Sequence, residues 1–273
     1  MKKTKKITFI GAGNMARSII KGLVNAGYPA SEIMACNRTA EKLAFFSQLG
    51  INTSTDNDQG VAFADVVVLA VKPQFMQAMC ESLAQHGKCT DKVFVSIAAG
   101  LTVARLQAFL GCPCPVIRVM PNTPSLIGRG VSGLYANDDV SDSDKTFVAE
   151  MMNAVGTTIW VPEESQINGV IAAAGSSPAY FFLFLEAMEQ EALNMGFDKN
   201  AARAMVENAM LGAAEMVCHN SDLELSELRA QVTSKGGTTA KAIEHFQQQG
   251  LSELVQNAMR AAVTRAQEME KTF

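Results

Sequence analysis

Residues 6–27 read KITFIGAGNMARSIIKGLVNAG, in which an apolar stretch, a glycine turn and an amphipathic stretch follow one another. The residues Ile7 to Ile10 predict a buried strand, and apolar residues at helical spacing predict a helix that stops at Gly27. Between them lies GAGNMA, residues 11–16, which has the GxGxxA spacing of a dinucleotide-binding turn between a strand and a helix. The stretch therefore predicts the first β–α–β unit of a nucleotide-binding sheet.

The small residues of this motif have separate physical roles. Gly11 permits the tight turn, Gly13 lets the backbone approach a pyrophosphate, and Ala16 allows close packing of the helix on the strand. A glycine-rich turn without a ligand is the alternative, but the position of the motif at the start of a β–α–β unit favours binding. The residues expected to contact the dinucleotide here are Ile10, Gly11, Ala12, Gly13, Asn14 and Met15.

The end of the second predicted strand, in EIMACNRT (residues 32–39), indicates which dinucleotide binds. An NAD site usually has Asp or Glu here, which bonds the ribose 2′-hydroxyl. Asn37, Arg38 and Thr39 stand there instead, and Arg38 can pair with a 2′-phosphate that a carboxylate would repel. A solvated arginine on a loop is the alternative. We expect NADPH to be preferred over NADH.

Five further strands are predicted, with helices between several of them. One of these helices runs from about Ser143 to Val155. The strands lie in ADVVVLAVKP (64–73), KVFVSIAAG (92–100), CPVIRVMPNTP (114–124), GVSGLYAN (130–137) and TTIWVP (157–162). Ligands bind at the carboxyl edge of such sheets, where Lys72, Ala98, Ala99 and Asn122 would cluster. Residues 1–162 are therefore predicted to form a Rossmann-type, doubly wound α/β domain.

After Pro162 the pattern becomes helical and apolar on several faces. Helices are predicted over 164–175, 178–195 and 198–218, with more after a Gly-Gly loop and an end near Met269. Such helices need a covering partner, and a second copy of the chain is the simplest one. Residues 163–273 are predicted to form an all-α dimerisation domain, in a homodimer at least.

Composition excludes several classes of function. The net charge of −4 argues against a nucleic-acid or anionic-membrane partner. No stretch is both long and apolar enough to span a bilayer without a charge or a helix breaker, so a cytoplasmic location is expected. The six cysteines form no CxxC pair, the close pair Cys112 and Cys114 is expected to be reduced, and His86, His219 and His245 are scattered. We expect no metal site.

The stretch VTSKGGTTAKAIEHF, residues 232–246, places hydroxyls, glycines and a lysine before a predicted helix that would stop at Gly250. Thr238 or Thr239 can serve as the N-cap, and neither is followed three residues later by Glu or Gln. Backbone N–H groups at such a helix start can hold an anion. The pattern therefore predicts an anion site.

Several motifs together resemble the pyrroline-5-carboxylate reductase family, in order and across essentially the full chain. They are GAGNMA, AVKP, RVMPNTP, AAGSSPAY and ELRAQVTSKGGTTAKAI. Three positions depart from the family pattern: Ser177 stands where Gly is usual, Lys235 where Pro is usual, and Leu225 where a proline often opens a helix. The Ser-x-Gly-Gly-x-Thr stretch is the most specific of the shared signatures.

The resemblance implies reduction of L-1-pyrroline-5-carboxylate to L-proline with NAD(P)H, the last step of proline biosynthesis. The anion would then be the carboxylate of a small cyclic imino acid. By analogy with the family, Thr239 would orient the imine nitrogen or a water and relay a proton, with Ser234 as a helper. The residues expected to bind the substrate are Asp222, Gly236, Gly237, Thr238 and Thr239.

The resemblance also implies further cofactor contacts and a dimeric assembly. These contacts are Asn57 on the adenosine side, beside the Asn37 and Arg38 inferred above, then Ala70, Val71, Lys72, Pro73, Ile97, Ala98 and Ala99 on the nicotinamide side, and Gln231. In the family the active site forms between the Rossmann domain of one subunit and helices of its partner, and dimers can assemble into a ring.

Two other functions fit parts of the sequence. One is another NADP-dependent enzyme of the same architecture, such as an imine reductase with a bulkier substrate or a 3-hydroxyacid dehydrogenase. A hydroxyacid enzyme usually needs a lysine in its long helix, and Lys199, Lys235 and Lys241 all lie outside the helix that follows the domain break. The other is a non-catalytic NADP-binding sensor, which would need Gly11 and Gly13 but not the Gly-Gly-Thr-Thr loop.

Overall fold

The computed structural model of the chain describes residues 4–85 and 89–272, so His86 lies outside the described residues. It divides into two compact units. Unit 1 consists of two segments, one that ends at Ser176 and one that begins at Ala262, and unit 2 is Ser177–Ala261. The predicted domain boundary after residue 162 falls earlier than this division. The reason is that the segment after Pro162 packs on the sheet, where Val170 lies against Gly133.

Unit 1 contains an eight-stranded sheet with the strand order β3-β2-β1-β4-β5-β6-β7-β8. The strands are β1 (Ile7–Ile10), β2 (Ile33–Cys36), β3 (Asn52–Ser54), β4 (Val66–Leu69), β5 (Val93–Ser96), β6 (Val116–Met120), β7 (Gly130–Ala136) and β8 (Gly156–Trp160). The strands β1 to β6 are parallel, β7 runs antiparallel to β6, and β8 is parallel to β7. The predicted Rossmann-type sheet is confirmed.

The helices of unit 1 cover both faces of this sheet. They are α1 (Asn14–Asn25), α2 (Ala44–Gln48), α3 (Asn57–Phe63), α4 (Met76–Ala84), α5 (Val103–Leu110), α6 (Asp142–Asn153) and α7 (Ile167–Val170). Strand β4 explains the two-sided core: Val66 and Val68 join one buried cluster, whereas Val67 and Leu69 join the other. Successive side chains of a strand point to opposite faces, so an apolar run such as VVVL requires cover on both.

Unit 2 is entirely helical among its described elements. It contains α8 (Ser177–Asn194), α9 (Lys199–His219), α10 (Leu225–Gln231), α11 (Thr238–Gln248) and the first part of α12 (Leu251–Thr272), whose later residues belong to unit 1. Helix α8 has no buried residue although it carries Phe181, Phe182, Leu183 and Phe184. Within unit 2, therefore, much apolar side-chain surface is exposed.

Two local features differ from what the sequence predicts. Strand β3 was not predicted, because three polar or half-buried residues, NTS, give no periodic signal. The segment 164–175 is not one α-helix but a 3₁₀ turn (Glu164–Gln166), α7 and a π-helical turn (Ile171–Gly175). The stop of α1 is as predicted: the helix ends at Asn25, and Gly27, just past the C-cap Ala26, has φ 86° and donates to the Val24 carbonyl at 3.0 Å.

Candidate active site

Gly11 lies in a backbone conformation and a space that only glycine tolerates. Its φ is 113°, and a Cβ atom there would lie 2.5 Å from the carbonyl oxygen of Ala70. Its N–H donates to the carbonyl of Cys36 at 2.9 Å, so the turn is tied to β2 as well as to the end of β4. The predicted tight turn is thus built by contacts on both sides.

The start of α1 presents backbone N–H groups without a side-chain cap. Gly13 is the N-cap, with φ −78° and ψ 176°, and no side chain accepts a hydrogen bond there. The first turn has no acidic residue, and a Cβ atom at Gly13 would have no atom within 4 Å. Ala16 is buried. This helix start can accept an anionic group through its free N–H donors and its positive dipole end.

The ends of β1, β4 and β5 meet at the same edge of the sheet. Ile10 pairs with Leu69, and Leu69 pairs with Ser96. Each strand continues into a segment with predicted cofactor contacts. The segment after β1 begins at Gly11, that after β4 at Ala70 and that after β5 at Ile97. The structure brings these segments together into a half-buried, largely apolar surface beside the glycine turn, where α/β sheets bind ligands. Lys72 lies exposed at its rim.

The loop after β2 differs in detail from the predicted donor set. The side-chain oxygen of Asn37 accepts the Thr39 N–H at 2.9 Å, so the Asn37 side chain stabilises its own loop. Arg38 is exposed and forms no ion pair with any described residue. Asn57 begins α3, directly after its N-cap Asp56. Arg38 is therefore the cation of this loop that can bind a phosphate.

The cysteines form no disulfide, and one of them, Cys36, is buried beside the glycine turn. All six cysteines are free. Burial, and secondly the Asp56 carboxylate, raise the pKa of the Cys36 thiol to about 12. That thiol is therefore protonated at neutral pH and is a poor nucleophile. Among the described residues, no group of three or more His, Cys, Asp or Glu side chains could hold a metal ion.

The loop before α11 in unit 2 ends in an N-cap glycine with nearly the same φ and ψ as the N-cap glycine of α1. Gly237 is the N-cap, with φ −77° and ψ 172°, and no side chain caps the helix. Gly236, just before it, has φ 76°, and the Gly237 N–H donates to Ser234 at 3.0 Å. A Cβ atom at Gly237 would lie 2.6 Å from Ser234 Oγ, so that hydroxyl lies directly over the helix start.

The prediction that Thr238 or Thr239 caps this helix was wrong. Both residues are already helical, because the chain leaves its extended conformation at Gly237. Their hydroxyls are consequently not used as caps, and Thr239 is exposed in the first turn. The uncapped N–H groups and the two threonine hydroxyls remain together at the helix start.

Two other predicted residues of unit 2 flank α10. Asp222 is exposed in the turn between α9 and α10, and Gln231 is the exposed last residue of α10. Helix α10 is closed at its start by a capping box of Glu224 and Glu227, unlike α11. Lys235 is exposed, and no described residue forms an ion pair with it.

Asn122, predicted at the ligand edge of the sheet, has a structural role instead. Its amide nitrogen donates to the Ala174 carbonyl at 3.0 Å, and its oxygen accepts the Val131 N–H at 2.8 Å. The side chain is thus engaged at both ends. Sequence reasoning also missed Arg118, whose signal was a single charge inside the apolar run VIRVM.

Two surface grooves of about 580 and 640 Å³ border α6. Neither groove is lined by any of the predicted site residues. The candidate site is therefore identified by its backbone donors and by the convergence of strand ends rather than by the depth of a cavity.

Family models match both halves of the chain. The model described as "Pyrroline-5-carboxylate reductase dimerisation" matches residues 164–269, and that described as "NADP oxidoreductase coenzyme F420-dependent" matches residues 6–100. The first match spans the helices with exposed apolar side chains, which supports oligomerisation through that part of the chain. The second spans the glycine turn and the ends of β1, β4 and β5.

Whole-chain relatives agree with both matches. A pyrroline-5-carboxylate reductase of Vibrio alginolyticus is 55% identical, over 98% of this chain and 99% of the relative. That of Pseudomonas aeruginosa is 45% identical, over 97% of each.

Solved structures extend the likeness to three dimensions. A pyrroline-5-carboxylate reductase of Coxiella burnetii has a TM-score of 0.93 and 42% identity, over 98% of this chain and 99% of that one. A Plasmodium falciparum pyrroline carboxylate reductase, solved with NADP bound, has a TM-score of 0.85 and 26% identity, over 97% and 98%. On this identity and coverage, the chain belongs to the pyrroline-5-carboxylate reductase family.

Proposed function

We propose that the protein reduces L-1-pyrroline-5-carboxylate to L-proline with NADPH as the hydride donor, the last step of proline biosynthesis. The observation that carries the proposal is the pair of uncapped helix starts, one in each unit, with the same backbone geometry at Gly13 and Gly237. A dinucleotide and an imino acid each carry an anionic group that such a helix start binds. The relatives that match essentially the full chain are named for this activity.

In this proposal, unit 1 holds the cofactor. The start of α1 binds the pyrophosphate, and the half-buried segments after β4 and β5 bind the nicotinamide. Bound NADPH supplies a hydride, which the imine carbon accepts. The contribution of the protein is to hold the reacting atoms in register and to limit water around them.

The loop before α11 holds the substrate. The N–H groups of Gly236, Thr238 and Thr239 donate to the substrate carboxylate, which also favours the positive end of the helix dipole, while the Gly237 N–H keeps its bond to the Ser234 carbonyl. The Thr239 hydroxyl hydrogen-bonds the ring nitrogen, or a water beside it, and relays a proton there while Ser234 supports the loop. Since a threonine hydroxyl is a weak acid, its role is to orient the imine and pass on a proton already present.

Preference for NADPH rests on the exposed guanidinium of Arg38. No described carboxylate neutralises Arg38, so it is available to a 2′-phosphate, and the loop carries no acidic residue that would repel that phosphate. The side-chain oxygen of Asn37 accepts the Thr39 N–H, and its side-chain nitrogen, which bonds to no described residue, can donate to the phosphate.

The helices of unit 2 are covered by a second copy of the chain, and dimers assemble further into a ring. Phe182 and Leu183 on α8 are 65% and 67% exposed. The helical span Glu164–Asn194 is, by length and composition alone, apolar enough to cross a membrane, with a mean hydropathy of 1.4. Gly169, Gly175 and Pro178 lie within that span, and the dimerisation family model includes it. We therefore propose a homodimer in the cytoplasm.

The direct test is the consumption of NADPH by the purified protein after addition of racemic pyrroline-5-carboxylate, with NADH in a parallel assay. The proposal predicts stoichiometric formation of L-proline and a higher kcat/KM with NADPH than with NADH. Folded protein that binds NADPH but does not turn over this substrate would contradict it. Larger cyclic imines and 3-hydroxyacids would then be assayed on the same preparation.

A further inference from the structure

A buried arginine ties the C-terminal end of the chain to the sheet of unit 1. Arg118, on β6, has a side chain that is only 3% exposed. Its Nη1 donates to Glu164 Oε1 at 2.8 Å and to Glu270 Oε1 at 3.1 Å. Glu270 lies in the last turn of α12, so the pair joins residues that are far apart in the sequence but belong to the same unit.

Both carboxylates make a second hydrogen bond that extends this network. Glu164 Oε1 also accepts the Val103 N–H at 2.7 Å, at the first residue of α5. Glu270 Oε2 accepts from the Asn168 side chain at 3.2 Å. The network thus connects the loop between β5 and α5, strand β6, the segment 164–168 and the end of α12.

The end of α12 also contacts the β5–α5 loop directly. Gly100 is buried with φ 75°, and a Cβ atom there would lie 2.8 Å from Met269 Cβ. Only glycine combines that backbone conformation with so close an approach of the helix. The loop that begins with Ile97, Ala98 and Ala99 is therefore backed by Met269 at Gly100 and anchored by Glu164 at Val103.

The network is better suited to fixing geometry than to adding stability. Burying an arginine and two partly buried carboxylates costs solvation, which their attraction only partly offsets. In addition, the Nη2 atom of Arg118 and the Oδ1 atom of Asn168 are buried without a hydrogen-bond partner. Loss of Glu270 would leave Arg118 with Glu164 alone, and Glu164 also holds the start of α5.

We propose that the end of α12 positions the nicotinamide-side loop, residues 97–102, and that Glu270 is a positioning residue that acts through Arg118 and Asn168. This rests on the proposed function, in which Ile97, Ala98 and Ala99 contact the nicotinamide. A small displacement of this loop alters the approach of the hydride donor to the imine carbon much more than it alters affinity for the rest of the cofactor.

The test compares Glu270→Ala with Glu268→Ala. Glu268 lies on the same helix end and is paired with Arg265 at 2.7 Å, but that pair is exposed. At saturating substrates, Glu270→Ala is expected to lower kcat by about tenfold and to change the KM for NADPH by less than about twofold. Glu270→Gln, which keeps one oxygen atom that accepts hydrogen bonds, is expected to recover part of kcat. Glu268→Ala is expected to behave like the parent.

Amide hydrogen exchange of residues 97–103 provides a readout that does not require turnover. Faster exchange there in Glu270→Ala than in Glu268→Ala supports the proposal whether or not the parent reduces pyrroline-5-carboxylate. If the parent is inactive, the proposed function fails while this comparison still decides the positioning role. A lower melting temperature with unchanged kcat and unchanged exchange in this loop would overturn the proposal, because the network would then be only structural.

Discussion

The starts of α1 and α11 are alike in the geometry of the N-cap glycine and different in their surroundings. Each has a glycine at positive φ, Gly11 or Gly236, and each ends in a glycine N-cap with no side-chain cap. The first turn is enclosed by β2 and β4, so a Cβ atom at Gly11 meets Ala70 at 2.5 Å. A Cβ atom at Gly236 has no atom within 4 Å, and the second loop is largely exposed.

This difference indicates which part of the site a single chain can build from its own contacts. The sheet of unit 1 is covered on both faces, so the cofactor turn is preformed by contacts within a single unit. Unit 2 leaves Phe182 and Leu183 exposed, which is the state of a helical unit that lacks its covering partner. We therefore expect the cofactor turn to depend on local packing and the substrate loop to depend on assembly.

The largest effect is expected from Gly11→Ala, set against Gly13→Ala. The Gly11 change combines a clash with Ala70 and a strained φ, which alone costs about 1 to 3 kcal/mol. It should lower the melting temperature and abolish NADPH binding. Gly13→Ala meets no protein atom and should keep the melting temperature while it weakens NADPH binding, measured by calorimetry. Equal melting temperatures for the two variants would argue against a preformed turn.

Assembly is tested next, by Leu183→Asp on α8. A charge on this exposed apolar face should dissociate the oligomer and, through the substrate loop, lower kcat/KM by about a hundredfold or more, because an unpaired charge is costly in a buried interface. Light scattering would give the mass. Asn25→Asp, which adds the same charge at an exposed position of α1, is the control. A Leu183→Asp protein of unchanged mass would show that this face is not an interface.

A smaller and more selective effect is expected for Arg38→Ala. Loss of a charge-assisted contact to the 2′-phosphate should raise the KM for NADPH by about ten- to a hundredfold, since such contacts contribute about 1.5 to 3 kcal/mol. The KM for NADH should stay the same because NADH has no such phosphate. Steady-state kinetics with both cofactors would measure the change, and equal losses for both would contradict the role of Arg38.

The smallest effect is expected from thiol alkylation of the native protein near neutral pH. Burial raises the pKa of Cys36 and of Cys80 to about 12, and these thiols become reactive only as the pH approaches that value. Mass spectrometry should therefore find both unlabelled until the protein is denatured. Rapid labelling of Cys36 in folded protein would indicate that the sheet of unit 1 opens, contrary to a preformed cofactor turn.

Sequence alone predicted the elements whose signal is local. The run VVVL identified β4, and the spacing of Gly11, Gly13 and Ala16 identified the turn before α1. The three polar residues of β3 gave no pattern because that strand is held by its neighbours. The N-cap before α11 was misassigned, since composition does not specify at which residue the backbone becomes helical.

The long-range contacts could not be predicted. Arg118 is a single charge within an apolar strand, which sequence reasoning missed, and its partners Glu164 and Glu270 lie 46 and 152 residues away. Nor did the sequence reveal that the Asn122 side chain donates a hydrogen bond to Ala174 and accepts one from Val131. All of these residues belong to unit 1, and their pairing depends on how distant parts of that unit fold together, which a periodic pattern does not encode.

The most direct test of the central claim, that unit 2 holds the imino acid while unit 1 holds the cofactor, is to measure turnover and NADPH binding together in Thr239→Ala. We expect kcat/KM for pyrroline-5-carboxylate to fall by about a hundredfold, the usual contribution of a positioned proton-transfer group. We expect the Kd for NADPH to stay unchanged. Turnover equal to that of the parent, or loss of NADPH binding, would contradict it.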